Sequence, residues 1–207
     1  MDQDKLETLR ARYAGASGAD IHDPRFAKVA ADQFKGDKRK WPFSDVATFV
    51  SAPYRPDALG LPDLGGLDVA IIGLPMDLGV TNRAGTRLGP RAVRAVERMG
   101  PMDHVLGTAP FGMLKAADIG DVPFRSRYSL ESCHEDIEAT FKTIVAAGVS
   151  PLAVGGDHSI TYPILKAVGE KRPVGMVHID AHCDTSGPYE GSKFHHGGPF
   201  RQAVLDG

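Results

Sequence analysis

The feature of this sequence that most constrains its fold is a regular alternation of short apolar runs with helical segments from about Asp68 onward. Runs rich in Val, Ile and Ala predict buried strands, and segments with Ser or Pro near the start and Gly near the end predict helices. Strands are predicted at residues 68–73, 115–120, 149–156 and 173–180, and helices at residues 88–99, 129–148 and 158–170. This alternation is typical of an α/β fold with a parallel sheet.

Residues 1–66 differ from the rest in being rich in Asp, Lys, Pro and Gly. Two short stretches, 4–15 and 23–34, have helical character, whereas residues 51–66 are dominated by turn-forming residues. We interpret residues 1–66 as an N-terminal extension or arm that packs on the domain formed by residues 67–207 or on a neighbouring subunit. A partly disordered tail is the alternative.

Composition excludes several classes of function. Hydrophobic residues make up 42% of the chain, which is enough for a sizeable core. The formal net charge of −2 lacks the basic surface that nucleic-acid binding requires. No apolar run has the length of a membrane span, and the charged N-terminus does not resemble a signal peptide. Only two cysteines are present, so a disulfide framework is not expected. We therefore expect a cytoplasmic protein whose partner is neither nucleic acid nor a membrane.

Polar residues follow the third predicted strand at its carboxyl end, where parallel α/β sheets bind their ligands. This cluster reads Gly-Gly-Asp-His-Ser over residues 155–159. The paired glycines allow the backbone to turn sharply and would present His158 at the rim of the sheet. A single histidine in this position is more often a structural residue than a ligand, so His158 needs support from elsewhere in the sequence.

Asp180, His182 and Asp184 supply that support at the end of the fourth predicted strand. Because alternate residues of an extended segment point to the same side, these three side chains would converge while the residues between them point away. Two carboxylates and an imidazole suit a divalent cation, and burying them without one is costly. Together with His158 they predict a metal site, and a hydrogen-bonded polar cap on the strand is the alternative.

Four further residues near these clusters need separate interpretations. Cys183 is expected to point away from the site as a small buried residue and not to be a zinc ligand. His178 is expected to be a hydrogen-bonded core residue or a group that supports the ligands. The Gly- and Pro-containing loop at residues 192–200 carries His195 and His196, and a histidine there could shuttle protons. A solvent-exposed histidine pair is the alternative.

A Gly- and Arg-rich segment at residues 81–94 opens a predicted helix but lacks the GK[ST] element of a phosphate-binding P-loop. We expect most of its arginines to form salt bridges or subunit contacts. Asn82 and Arg83 are predicted to line the mouth of a substrate pocket.

Taken together, these segments resemble the ureohydrolase family, which comprises arginases, agmatinases and relatives that act on guanidino acids. The resemblance is carried by GGDHS at residues 155–159, HIDAHCD at residues 178–184 and HHGGPF at residues 195–200. The segment at residues 81–94 looks like the agmatinase branch. The resemblance runs from about Leu67 to the end and implies an arginase-like, three-layer α/β/α fold.

The resemblance also implies a dinuclear Mn²⁺ site and assembly into homo-oligomers, either trimers or hexamers. By resemblance, His158, Asp180, His182 and Asp184 are metal ligands, Asp180 bridges the two ions, and His196 transfers a proton. His195 receives no role. The family's SxDxDxxDP segment, whose aspartates complete the site, does not occur before Gly207. We therefore expect a sheet truncated after about half of its strands and an incomplete ligand set.

The reaction expected from the resemblance is agmatinase-like hydrolysis of a linear guanidino compound to urea and an amine. Hydroxide generated at the metal ions would attack the guanidinium carbon, and His196 would deliver a proton to the leaving amine. Guanidinobutyrate, guanidinopropionate, arginine or a formimino amino acid are alternative substrates. A metal-dependent deacetylase and a non-catalytic metal-binding subunit are the more distant alternatives.

Overall fold

The computed structural model describes residues 2–14, 45–96, 103, 105–108 and 110–207. The chain divides into two compact units, of which the smaller comprises Met1–Arg39 with Gly100–Gly112 and the larger Lys40–Met99 with Met113–Gly207. In the smaller unit, helix α1 spans Gln3–Tyr13 and begins after Asp2, whose carboxylate accepts a hydrogen bond from the backbone N–H of Asp4. The helix predicted at residues 23–34 lies outside the described residues.

A three-stranded parallel sheet forms the centre of the larger unit. Its strands are β1 (Val69–Leu74), β2 (Ala116–Asp121) and β3 (Ser150–Gly155), in the spatial order β2-β1-β3. The central strand β1 is buried from Ala70 to Leu74. Burial of successive residues means that both faces of this strand are covered, which explains its continuous apolar sequence. The first three predicted strands are thus confirmed.

Within the described residues, five further helices follow the first. They are α2 (Gly89–Arg94), α3 (Pro110–Met113), α4 (Leu130–Ala146), α5 (Thr161–Gly169) and α6 (Pro199–Leu205). Helix α4 begins where the Ser129 hydroxyl accepts a hydrogen bond from the Ser132 N–H, as expected of an N-cap serine. It ends before Gly148, whose φ of +76° suits the glycine that was predicted to stop it. The helix predicted at residues 88–99 is seen as far as Arg94.

Apolar residues of the expected N-terminal arm belong to the larger unit. Phe49, Ala58 and Leu64 are almost fully buried. The same segment follows the outer edge of β2, where the backbone N–H of Asp118 donates to the carbonyl of Pro53 at 2.9 Å. Residues 45–66 are thus packed on the sheet, as expected of an arm that packs on the domain, and the boundary between residues 66 and 67 stays a prediction.

A partly buried ion cluster joins α2 to β2. The Arg94 side chain is 14% exposed, and its guanidinium contacts both carboxylate oxygens of Asp118 at 2.8 and 3.0 Å and Asp121 at 2.7 Å. Its guanidinium carbon lies 4.0 Å from the centre of the Phe49 ring. Arg87 pairs in a similar way with the buried Asp77. The expectation that arginines of residues 81–94 form salt bridges is confirmed for these two.

The fourth predicted strand, at residues 173–180, is not formed. Within the described range 110–207 this segment makes no ladder hydrogen bonds, and Val177 and Ile179 are exposed. An extended apolar segment becomes a strand only when a neighbouring strand supplies the hydrogen bonds, and the described residues place none beside it.

Among the helices that the structure describes, none has the length and apolar character needed to cross a membrane.

Candidate metal centre

The first functional residue, His158, lies directly after β3 in a short 3₁₀ turn, His158–Ile160. Asp157 precedes this turn, and its carboxylate accepts a hydrogen bond from the Ser159 N–H at 2.7 Å. Gly156 has a φ of +37°, a conformation that residues with a Cβ rarely adopt. The predicted sharp turn therefore exists, and it places His158 at the carboxyl end of the sheet.

Four side chains gather at this point: His158, His178, Asp180 and Asp184. One nitrogen or oxygen atom from each lies within 4.8 Å of the corresponding atom of every other. Nδ1 of His158 is 2.9 Å from Oδ2 of Asp184 and 3.9 Å from Oδ2 of Asp180. Nε2 of His178 is 3.5 and 3.6 Å from the same two oxygens. The structure thus brings together three of the four predicted ligands and adds a second histidine.

Two atoms of this cluster are buried without a hydrogen bond to any described residue: Nε2 of His178 and Oδ2 of Asp184. The Asp184 oxygen is close to Nδ1 of His158, but the two groups do not have hydrogen-bond geometry. Buried polar atoms are normally satisfied, and an unsatisfied carboxylate oxygen is costly. A cation among these atoms would satisfy both. Two imidazoles and two carboxylates form a donor set that suits divalent ions such as Mn²⁺ or Zn²⁺.

His182 lies on the other side of Asp180. Its imidazole is 81% exposed, and its Nδ1 is 3.4 Å from Oδ1 of Asp180, whereas the other cluster residues approach Oδ2. Its backbone N–H donates to the same Oδ1 at 2.9 Å. This hydrogen bond, with His178 and His158 nearby, keeps the pKa of Asp180 below its usual range. The role of His182 as a ligand stays a prediction.

The side-chain alternation expected over residues 180–184 is not observed. Asp180 accepts the hydrogen bond from two residues ahead and so closes a turn, and Asp184 has a φ of +50°. Asp184 is therefore directed to the cluster by a turn and not by an extended strand. For the same reason Cys183, which was expected to be buried, is exposed.

Phe200 is a site residue that sequence reasoning did not identify. Its ring meets the imidazole of His178 edge to face at 4.6 Å and that of His158 at 5.6 Å, measured between ring centres. Its backbone N–H donates to the Asp184 carbonyl at 3.4 Å. Phe200 thus covers one side of the cluster.

His178 could have been found from the sequence, because it lies two residues before Asp180 and the alternation rule applies to it equally.

His196 contacts the segment that follows β1. Its backbone N–H and its Nδ1 lie 3.0 and 2.9 Å from the carbonyl oxygen of Gly79. The backbone N–H of Gly79 in turn donates to Oδ2 of Asp157 at 2.9 Å. The neighbouring His195 points elsewhere, with Nε2 2.9 Å from the carbonyl oxygen of Gly187. The two adjacent histidines therefore contact the carbonyl groups of different loops.

Asn82 and Arg83 are exposed on the loop that continues from Gly79. The loop is held at its far end by the buried Asp77, whose carboxylate accepts a hydrogen bond from the Gly85 N–H at 2.6 Å. A hydrogen bond from Arg87 keeps the pKa of Asp77 below its usual range. The predicted role of Asn82 and Arg83 in substrate binding stays a prediction.

Comparison with known proteins places this geometry in a family. The model of the arginase family matches residues 67–207. Mitochondrial agmatinase of Gallus gallus is 49% identical over 144 residues, which cover 69% of this chain and 42% of that protein. Guanidinopropionase of Pseudomonas aeruginosa is 42% identical over 167 residues, which cover 80% of this chain and 50% of that protein.

The fold comparison agrees with the sequence comparison. The crystal structure of a hypothetical agmatinase from Burkholderia thailandensis superposes with a TM-score of 0.72 at 36% identity, covering 83% of this chain and 53% of that one. The chain spans about half the length of the curated relatives it matches. Its parallel sheet, its ordered motifs and the family match over residues 67–207 lead to one conclusion: the chain belongs to the arginase family.

Proposed function

We propose that this chain carries metal ligands and the proton-transfer residue of a ureohydrolase, an enzyme that hydrolyses a linear guanidino compound to urea and an amine. The observation that carries the proposal is the cluster of His158, His178, Asp180 and Asp184, in which two buried polar atoms lack a hydrogen bond from any described residue. The names of the relatives, agmatinase and guanidinopropionase, support guanidino compounds as the substrate class.

The residues proposed to hold the metal are His158, Asp180 and Asp184, with His178 beside them and His182 on the opposite oxygen of Asp180. Two divalent ions, Mn²⁺ in our proposal, would supply an activated water nucleophile near neutral pH. Asp180 is suited to a site with two ions because its two oxygens face different groups of residues. Phe200 excludes water from one side of His158 and His178 by its ring contacts.

His196 is proposed to give a proton to the leaving amine. Imidazole can hold and release a proton near neutral pH, which is what such a step requires. Asn82 and Arg83 are proposed to orient the end of the substrate that lies opposite its guanidinium group. Both residues are exposed on the loop that follows Gly79, and the carbonyl of Gly79 contacts His196. A cytoplasmic location and assembly into trimers or hexamers stay predictions.

The proposal is tested by measuring metal content and urea release together. Mn²⁺ bound after dialysis is measured by mass spectrometry, and urea is measured with agmatine, guanidinopropionate, guanidinobutyrate and arginine as substrates. Asp184→Asn should lower both the bound Mn²⁺ and the urea formed. The exposed Asp57 supplies the control, because Asp57→Asn removes a surface carboxylate that, within the part of the chain that the structure describes, forms an ion pair with Arg55 alone.

Two results would contradict the proposal. If Asp184→Asn retained the metal content and turnover of the unmodified chain, the cluster would not be the metal site. If the metal were bound but none of the guanidino compounds released urea, the non-catalytic metal-binding alternative would be preferred.

A further inference from the structure

We propose that Asp157 is a positioning residue for His196: it holds Gly79, whose carbonyl oxygen keeps the imidazole proton on Nδ1 and leaves Nε2 to exchange protons. The hydrogen bonds that set the His196 tautomer do not depend on any reaction. The use of Nε2 in catalysis rests on the proposed ureohydrolase function, so the tautomer is tested by spectroscopy and the catalytic use by kinetics.

The first step of the argument is the contact between Asp157 and Gly79. The Asp157 carboxylate is buried and uses both oxygens, with Oδ1 accepting from the Ser159 N–H at 2.7 Å and Oδ2 from the Gly79 N–H at 2.9 Å. A Cβ added at Gly79 would lie only 2.7 Å from the Ser159 hydroxyl oxygen and 2.9 Å from Oδ1 of Asp157. Gly79 therefore sits against this carboxylate at a distance that only glycine permits.

The second step is the contact between Gly79 and His196. The Gly79 carbonyl oxygen accepts a hydrogen bond from the His196 backbone N–H at 3.0 Å and lies 2.9 Å from its Nδ1. A carbonyl oxygen can only accept, so Nδ1 must carry the proton. In the neutral ring Nε2 is then unprotonated, and no hydrogen bond joins it to any residue in the described part of the chain. That nitrogen is free to take up a proton and release it to a substrate.

The neighbouring His195 shows the opposite arrangement. Its Nε2 is 2.9 Å from the carbonyl oxygen of Gly187 and therefore carries a proton, while its Nδ1 accepts a hydrogen bond from the Gly197 N–H at 3.2 Å. Both ring nitrogens are thus engaged in holding the loop. Of the two adjacent histidines, His196 is the one that the geometry leaves able to exchange a proton.

The test uses the full chain labelled with ¹⁵N-histidine. Long-range ¹H–¹⁵N correlation spectra distinguish protonated from unprotonated ring nitrogens, and a His196→Gln variant identifies the His196 signals by their loss. We expect the Nδ1–H form for His196. We expect Asp157→Asn, which can accept only one of the two backbone N–H groups, to convert His196 to a mixture of both forms. Gly79→Ala, which disturbs the same contact from the other side, should do likewise.

The matched control is Asp77→Asn, because Asp77 is also a buried carboxylate that binds backbone of the same loop, but its hydrogen bonds within the described residues go to Gly85 and Arg87 and not to Gly79. It should leave the His196 signals in the Nδ1–H form. An Nε2–H form of His196 in the unmodified chain would overturn the proposal, whatever the variants did. Retention of the pure Nδ1–H form in both Asp157→Asn and Gly79→Ala would overturn it as well.

Activity provides the second readout. If the protein releases urea, Asp157→Asn should lower kcat, expressed per bound Mn²⁺, on the order of 100-fold, since a positioned proton-transfer group contributes about that much or more. If Asp157→Asn leaves His196 in the pure Nδ1–H form and also leaves kcat unchanged, the positioning role of Asp157 is refuted. Absence of urea release in the unmodified chain refutes the proposed function and leaves the result from the spectra intact.

Discussion

His134 should make the stability of this protein fall in mildly acidic solution. It lies in α4 and is 4% exposed, with its ring 5.7 Å from that of Tyr162 and 5.0 Å from that of Phe194. Nε2 is 3.2 Å from the Ser159 hydroxyl oxygen, and Nδ1 is buried without a hydrogen bond to any residue that the structure describes. Burial lowers the pKa of His134 from 6.5 to about 4.

The size and sign of the effect follow from proton linkage. Above pH 6.5 His134 is neutral in both the folded and the unfolded chain, so it does not make stability depend on pH. As the pH falls from 6.5 to about 4, the unfolded chain takes up a proton that the folded chain excludes, and the free energy of unfolding decreases. At 1.36 kcal/mol per pH unit, the full loss amounts to about 3 kcal/mol.

The measurement compares the unmodified chain with His134→Phe, which keeps an aromatic ring beside Tyr162 and Phe194 but cannot titrate. Urea denaturation gives the free energy of unfolding of both proteins between about pH 7.5 and about pH 4.5. The difference between them should change by about 2.5 kcal/mol over this range, with the unmodified chain losing stability as the pH falls. The other histidines are common to both proteins and cancel. Parallel stability curves would refute the reasoning.

Two further predictions concern the ion cluster of the sheet and the turn that precedes His158. Asp118→Asn should lower the free energy of unfolding by about 3–5 kcal/mol, because it leaves the largely buried Arg94 guanidinium without its main partner. Asp121→Asn, at a side chain that is 42% exposed, should cost less than about 1 kcal/mol, and similar values for both would contradict this account. Gly156→Ala should cost about 1–3 kcal/mol or more, because an added Cβ would collide with two backbone carbonyl oxygens. Gly148→Ala, also at positive φ but in open space, should cost only about 1 kcal/mol, so equal thermal shifts would speak against the steric explanation.

Local sequence patterns predicted most of the fold. The apolar runs of β1, β2 and β3 and the capped helix α4 were recognised because strand and helix periodicity and end signals are encoded within a few neighbouring residues. The apolar stretch at residues 173–180 has the same local character and yet forms no strand. Strand formation there depends on a neighbouring strand, and local sequence carries no information about that partner.

The arm at residues 45–66 shows the same limit. Its turn-forming residues predicted an arm that packs on the domain or on a neighbouring subunit, and the structure buries Phe49 and Leu64 in the larger unit, where Asp118 binds the backbone of this segment. The sequence distance between Phe49 and Asp118 is 69 residues, so no local pattern could reveal the contact.

What the sequence by itself determined is the chemical inventory: a parallel α/β scaffold, His158 after its third strand, where such sheets gather their ligands, and the two carboxylates Asp180 and Asp184. Only the tertiary structure decided which atoms meet. It added His178 and Phe200 to the cluster and assigned the proton of His196 through a contact with Gly79, 117 residues away. The physical reason is that residue types and their spacing specify which groups are available. Hydrogen-bond geometry and burial depend on segments that the chain brings together only when it folds.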